Sequence, residues 1–278
     1  MVQAHAGTQV RPRLRRRWPS AMRLSLWAVN TVICLFLLAP ILVVIVSSFS
    51  RDAYLTFPPR SFSLRWYENF FNSSDLKDAL VVSAKLALAS TLVSTIVGAL
   101  AALALARARH RGAELLRALI LAPLIVPGIV VGIAMLIFFS KVGIAGTFKS
   151  LLLAHIVITL PFVVLIFTAG LQAYDYSVED AARSLGAGRL RVLLTVTIPI
   201  LKGSLLAAAI LAFITSFDEV VVSLFLVGPR TTTLPVRIFQ YIEYSSDPTI
   251  AAISSILVVV TIGVVLVVDR FVGFTRFL

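Results

Sequence analysis

Five long stretches of the chain carry no charged side chain, and they limit its possible folds more than any other feature. They cover residues 24–50, 86–106, 118–140, 150–174 and 248–268. A helix needs about 20 apolar residues to cross the hydrocarbon core of a bilayer, and each stretch is long enough. Because that core holds no water, a spanning segment must satisfy its own backbone hydrogen bonds, and a helix does so. The sequence therefore predicts an all-α polytopic membrane protein.

A sixth apolar stretch, residues 203–228, differs from the others because it contains Asp218 and Glu219. With it, the chain is predicted to have about six transmembrane helices. Their expected bounds are residues 24–49, 80–106, 115–139, 151–171, 204–227 and 250–271. We expect one membrane domain, residues 24–275, preceded by a cytoplasmic arginine-rich tail, residues 1–23.

The net charge of +12 is distributed in a way that indicates orientation. An arginine-rich tail can bind nucleic acid or act as an organelle transit peptide. The long apolar stretch that follows at once favours a cytoplasmic anchor in membrane lipid and no nucleic-acid partner. With the N-terminus inside, the Arg/Lys-biased loops and the C-terminus also lie in the cytoplasm. Those loops contain Arg107, Arg109, Arg111 and Arg117 after the second span, and Arg183, Arg189, Arg191 and Lys202 after the fourth.

The loop between the fourth and fifth spans, residues 172–202, has the pattern of a helical hairpin. Ser177 is expected to cap the first helix, and Glu179 and Asp180 fall in its first turn, where the helix dipole favours anions. Gly186 and Gly188 allow the sharp turn that stops this helix. A second short helix is then expected over residues 189–197, ending before Pro199. An ordinary amphipathic hairpin at the membrane surface fits the same residues.

The spacing within this loop resembles the cytoplasmic EAA loop of binding-protein-dependent ABC importer permeases. The family pattern is an acidic residue, a pair of alanines, a glycine a few residues on, and an apolar-proline pair further along. The matching residues here are Glu179 or Asp180, Ala181, Ala182, Gly186, Ile198 and Pro199. Asp180 stands directly before the alanines, where the family has Glu, so the spacing leaves open which carboxylate has the family role.

Three other segments, residues 62–67, 216–219 and 233–238, are similar to the spermidine/putrescine permease branch of that family. Relatives that carry other amines and small organic solutes share these segments. The resemblance therefore implies import of polyamines, with another amine or small organic solute as the alternative. The residues themselves do not decide between these solutes.

The resemblance also implies a set of partners. This chain would be a transport subunit and not an enzyme, with a second homologous permease, two copies of an ATPase and an extracytoplasmic solute-binding protein, in the bacterial inner membrane. ATP and Mg²⁺ would be bound by the ATPase, and this chain would bind no cofactor. The sequence has no G-x-x-x-x-G-K-[ST] phosphate loop of its own. A secondary transporter driven by an ion gradient is the alternative, although such proteins often show internal repeats and this chain shows none clearly.

Asp218, Glu219 and Lys85 are the candidates for the substrate path, because a charged side chain inside the bilayer is costly unless it faces protein or water. Lys85 lies at a similar predicted depth, so a structural ion pair with one of the two carboxylates is the alternative. His155 is expected to hydrogen-bond between helices rather than to bind a metal, and no metal site is predicted. Residues 234–244 are expected to form a short amphipathic helix along the outer face.

Overall fold

The computed structural model describes residues 20–108, 111–244 and 247–272, and most of this part of the chain is helical. The arginine-rich tail up to residue 19, Arg109 and residues 273–275 lie outside the described residues. In chain order the helices are α1 (Ser20–Ser47), α2 (Arg65–Asn72), α3 (Ser74–Arg107), α4 (Arg111–Ile125), α5 (Gly128–Val142), α6 (Phe148–Gln172), α7 (Ser177–Ser184), α8 (Arg189–Ile200), α9 (Lys202–Phe217), α10 (Val221–Leu226), α11 (Leu234–Tyr244) and α12 (Thr249–Val272).

Helices α1, α3 and α6 are long and apolar enough to cross a membrane, and they confirm the helices expected for the first, second and fourth spans. Helix α12 coincides with the sixth, and α11 confirms the short helix expected over residues 234–244. Two strongly bent pairs, α4 with α5 and α8 with α9, would bring the number of candidate spans among the described residues to five.

The third predicted span, residues 115–139, is wrong as a single helix. Helices α4 and α5 meet there at an angle of 108°. Pro127 lies at the bend and favours it, because proline has no N–H for the helical ladder and disfavours helical geometry at the residue before it. Beyond the bend, α5 packs closely on α10, where a side chain at Gly132 would collide with the ring of Phe225.

The fifth predicted span, residues 204–227, is wrong as a continuous helix. Helix α9 ends at Phe217, residues 218–220 are not helical, and α10 begins at Val221. The backbone groups freed by this break need other partners, and the Glu219 carboxylate supplies one by accepting the N–H of Val222 at 2.7 Å. The break therefore falls on the acidic pair within the apolar stretch.

Helices α3, α6 and α9 form the centre of the bundle, where they pack most extensively on one another. Small residues permit this approach: Gly98 of α3 lies against Val163 of α6, and Gly170 of α6 lies against Ser204 of α9. Helix α1 lies at the periphery and contacts α12. None of its most apolar stretch is buried inside the chain, so this surface faces lipid or another subunit.

Candidate functional site

Helices α7 and α8 form the hairpin that the loop pattern predicts. The backbone N–H of Ser177 donates to Oδ1 of Asp175 at 3.0 Å, and this bond lowers the pKa of the exposed Asp175 carboxyl. The predicted cap at Ser177 is therefore wrong: Tyr176 occupies the cap position, and Asp175 satisfies the amide of Ser177 from outside the helix.

The turn between the two helices depends on Gly186. Its φ of +88° lies in the left-handed region that favours glycine, and its N–H donates to the carbonyl of Arg183 at 2.9 Å. This geometry confirms the predicted sharp turn at Gly186, two residues after the first helix ends at Ser184. Gly188 has an ordinary φ of −67° at the start of α8.

The second helix of the hairpin is longer than predicted. Instead of ending at Thr197, it continues through Pro199 to Ile200. The turn over residues 193–197 is widened into a π-helical turn, and Pro199 lies at the start of the short α-helical segment Ile198–Ile200 that follows. At the start of such a turn the missing N–H of proline costs no intrahelical hydrogen bond, so the helix is not interrupted.

Glu179 ties the hairpin to the membrane bundle. Its side chain is 4% exposed, and both carboxylate oxygens lie 2.9–3.0 Å from Nη2 of Arg107, at the end of α3. Oε2 also accepts from Arg183 at 3.2 Å, and Oε1 accepts from the Thr197 hydroxyl of α8 at 2.7 Å. We call these four residues the Glu179 cluster. It fastens α3, α7 and α8 to one carboxylate.

Asp180 has a different environment from its neighbour Glu179. Its side chain is 76% exposed, with Arg183 at 3.8 Å. Ala181, Gly186 and Pro199 are also exposed, while Ala182 and Ile198 are half-buried. The structure thus divides the predicted loop residues into one buried anchor and a set that lies on the surface.

Several apolar side chains of the hairpin are also exposed. Leu185, at the turn, is 90% exposed, and Leu190 and Leu194 of α8 are 69% and 59% exposed. The sequence reasoning did not single out these leucines. A signal was present, since four leucines, these three and Leu193, lie within ten residues of a segment rich in arginine. We call Leu185, Leu190 and Leu194 the hairpin leucines.

The break between α9 and α10 presents the two membrane carboxylates differently. Asp218 is exposed, whereas Glu219 is half-buried and bonded to the start of α10. Lys85 of α3 is exposed, and among the residues that the structure describes no ion pair joins it to either carboxylate. The alternative of a structural ion pair is therefore not found among the described residues, and Asp218 is left exposed at the break.

A buried polar chain runs beside this break. His155 of α6 confirms its predicted role, because its ring nitrogens lie 2.8 Å from Oγ of Ser216 and 2.9 Å from Oγ of Ser223. Ser216 in turn bonds to Ser90 of α3 at 2.8 Å. The sequence reasoning missed these serines, although Ser216 and Ser223 flank the acidic pair on either side.

Comparison with known proteins identifies the class. The family of binding-protein-dependent transport system inner membrane components matches residues 94–275, and the chain belongs to this family. Membership makes it a multi-pass inner-membrane transport component and not an enzyme.

The curated relatives include polyamine permeases. The chain is 33% identical to the spermidine/putrescine transport system permease protein PotC of Haemophilus influenzae over 235 residues, which is 84% of this chain and 91% of that protein. PotC of Escherichia coli K12 is also 33% identical, over 85% of this chain and 89% of its own length. The putrescine permease PotI of the same strain matches at 33% over 41% of this chain and 40% of its own. These matches confirm the resemblance to the polyamine branch.

Solved structures confirm the fold. A crystallised bacterial ABC transporter that imports the acidic polysaccharide alginate has a TM-score of 0.69 at 17% identity, over 93% of this chain and 99% of that one. An inward-facing chain of the MetNI methionine ABC transporter has a TM-score of 0.57 at 19% identity, over 72% of this chain and 98% of its own. At these identities the likeness concerns the fold alone.

Proposed function

We propose that this chain is one permease subunit of an ATP-driven ABC importer that brings polyamines into the cytoplasm. The observation that carries the proposal is the α7–α8 hairpin, which is fastened to the bundle through Glu179 and exposes leucines at its tip. The chain has no phosphate loop of its own, so the ATPase that drives it would have to be a separate protein chain.

The hairpin would be the ATPase docking element. The hairpin leucines offer an apolar surface, and Asp180 and the neighbouring arginines surround it with charge. Because the Glu179 cluster joins the hairpin to α3, movement of a docked ATPase would reach the bundle directly. In energetic terms the ATP-bound state would favour one arrangement of the bundle, which is a coupling free energy.

This docking role determines the proposed orientation. If the hairpin lies in the cytoplasm, the arginines near the ends of α3 and α7 lie there as well, in agreement with the positive-inside rule. Both termini would then be cytoplasmic. The bundle would cross the membrane about six times. The bent pair α4–α5 would form the third crossing. Helix α9 without α8, continued by α10 beyond the break, would form the fifth, and α12 the sixth.

The proposed assembly contains a second homologous permease, two ATPase subunits that hold ATP and Mg²⁺, and an external solute-binding protein. A solved alginate ABC transporter with the same fold is in complex with a periplasmic protein that carries an alginate pentasaccharide, which supports such an arrangement. The exposed apolar face of α1 gives a second permease, or lipid, a surface to contact.

The solute proposed is a polyamine. The relatives matched over most of their length are spermidine/putrescine permeases, and the exposed Asp218 carboxylate suits a cationic solute. The experiment is to purify the complete complex and measure ATP hydrolysis with binding protein while adding spermidine, putrescine and 4-aminobutyrate in turn. Stimulation by a polyamine supports the proposal. Stimulation only by 4-aminobutyrate or another solute keeps the importer and rejects the polyamine.

Replacing Asp218 with asparagine is expected to slow polyamine uptake while the complex still assembles. A unit charge at about 4 Å in water contributes about 1 kcal/mol, so we expect at least about a fivefold loss. The control is Asp78→Asn, which removes the same charge from a different exposed position, on α3 and away from the break. Uptake is measured per assembled complex in proteoliposomes. Equal losses in both variants would contradict a role for Asp218 in the path.

A further inference from the structure

We infer that His155 is a positioning residue, which clamps the break between α9 and α10 and so fixes Asp218 and Glu219 beside the substrate path. This inference rests on the proposed function, because only a transport subunit has a substrate path. The clamp itself is a statement about the geometry of the break and can be tested without knowing the solute.

The imidazole bonds to one hydroxyl on each side of the break. Ser216 lies in the last turn of α9, and Ser223 lies in the first turn of α10. His155 and Ser223 have no exposed surface, and Ser216 is 3% exposed. One side chain of α6 therefore joins the two helices that flank Asp218 and Glu219.

The polar chain can be satisfied completely in one direction. Ser223 donates to Nε2 of His155, Nδ1–H donates to Ser216, Ser216 donates to Ser90, and Ser90 donates to the carbonyl of Ala87 at 3.2 Å. A neutral imidazole is one donor and one acceptor, and each hydroxyl donates once. The series ends on a backbone carbonyl, so no donor in it remains unpaired. Fully satisfied buried networks of this kind rigidify the structure around them.

The two hydrogen bonds of His155 also fix the distance between Ser216 and Ser223, which the backbone alone does not fix. In an uninterrupted helix, the seven residue steps from Ser216 to Ser223 would span about 10 Å along the axis. The three non-helical residues between α9 and α10 permit other distances and angles. The ring, with both nitrogens bonded, selects one of them, and the bond from Glu219 to Val222 adds a local restraint.

Ser94 provides a matched comparison within the same bundle. Its hydroxyl is also fully buried, and it bonds to Thr159 at 2.7 Å. This bond links α3 to α6 and touches neither α9 nor α10. Ser94→Ala and Ser223→Ala therefore remove the same group from equally buried positions, but only the second variant loosens the proposed clamp.

The first measurement is the rate at which a thiol reagent modifies a cysteine introduced by Asp218→Cys in the assembled complex. Cys34, which is exposed on α1, is replaced by alanine beforehand. We expect Ser223→Ala to change this rate about 3- to 20-fold, the range for losing an interhelical hydrogen bond in a membrane. His155→Phe, which breaks both bonds, should have at least the same effect. His155→Asn, whose amide can replace Nδ1, should fall between the wild-type protein and His155→Phe.

The modification rate measured in Ser94→Ala gives the result that would contradict the proposed role of His155. If Ser94→Ala changes the modification rate as much as Ser223→Ala, or if Ser223→Ala changes nothing, His155 does not fix the break. Should His155→Phe fail to assemble, the comparison between the two serine variants still decides. Because the labelling needs no solute, it stands even if the wild-type complex proves not to transport polyamines.

The second measurement separates a positioning role from general support of the fold. At saturating binding protein, Ser223→Ala is expected to lower the maximal uptake rate per assembled complex, with the half-saturating concentration of binding protein unchanged, because docking occurs elsewhere. A lower yield of complex with a normal rate per complex would show a merely structural role and reject the inference.

Discussion

Replacing Glu179 with alanine is expected to abolish most uptake, because it detaches the hairpin from the bundle. The change leaves two guanidinium groups and the buried Thr197 hydroxyl without their shared acceptor. Breaking a fully buried pair costs about 3–5 kcal/mol. Arg107 and Arg183 are 47% and 41% exposed, so water screens part of this loss, and we expect about 2 kcal/mol of destabilisation. Uptake should fall more than about tenfold at that cost.

The neighbouring Asp180→Ala is the matched control. Its carboxylate is largely exposed, so we expect no measurable change in the unfolding temperature of the permease. A double-mutant cycle with Arg107→Ala tests the connection itself, because residues that share a contact lose less together than the sum of their separate losses. If the two losses simply add, or if Asp180→Ala destabilises as much as Glu179→Ala, the Glu179 cluster does not hold the hairpin.

Replacing Gly186 with proline is expected to eliminate transport while leaving membrane insertion intact. The φ of +88° at this position is incompatible with proline, whose φ is fixed near −65°, and the bond from Gly186 to Arg183 would be lost as well. The tip of the hairpin must then change shape, so an ATPase that docks there would lose its surface. Uptake and co-purification of the ATPase are the two measurements.

Two alanine variants show whether backbone geometry is the cause. No atoms outside the local chain lie within 4 Å of a side chain added at either Gly186 or Gly188, so both methyl groups fit in open space. The left-handed geometry at Gly186 costs an ordinary residue about 1–2 kcal/mol, whereas the φ of −67° at Gly188 suits alanine. We expect a partial loss of uptake for Gly186→Ala and none for Gly188→Ala. Undiminished uptake by Gly186→Pro would refute the docking role.

The long helices could be predicted because each charge-free stretch matches the thickness of a bilayer, but the interruptions could not. Pro40, Pro123 and Pro161 lie inside continuous helices, whereas Pro127 lies at the break between α4 and α5. A proline only removes one bond from the ladder, and the surrounding packing decides whether the helix continues. At Pro127 that packing is the close approach of α5 to α10, which involves residues distant in the sequence.

The candidate site was likewise predictable where it depends on neighbouring residues, and not where it depends on residues distant in the sequence. The spacing of Ala181, Ala182 and Gly186 indicated the hairpin, because a local turn depends on neighbouring residues. The choice between Glu179 and Asp180 depends on Arg107, which is 72 residues away in the sequence. The partners of His155 are equally remote, 61 and 68 residues further on. A single sequence identifies the chemical groups and does not identify which of them meet.

The most direct test of the proposed ATP-driven import is to measure which energy source drives solute uptake. The complete complex is reconstituted into proteoliposomes with spermidine and binding protein outside, and either ATP or an imposed proton or sodium gradient is supplied. An ATP-driven importer is expected to take up spermidine with ATP inside, to take up none with a gradient alone, and to lose the ATP-driven uptake in Gly186→Pro. Uptake that follows the ion gradient and proceeds without the ATPase would contradict this proposal and identify a secondary transporter.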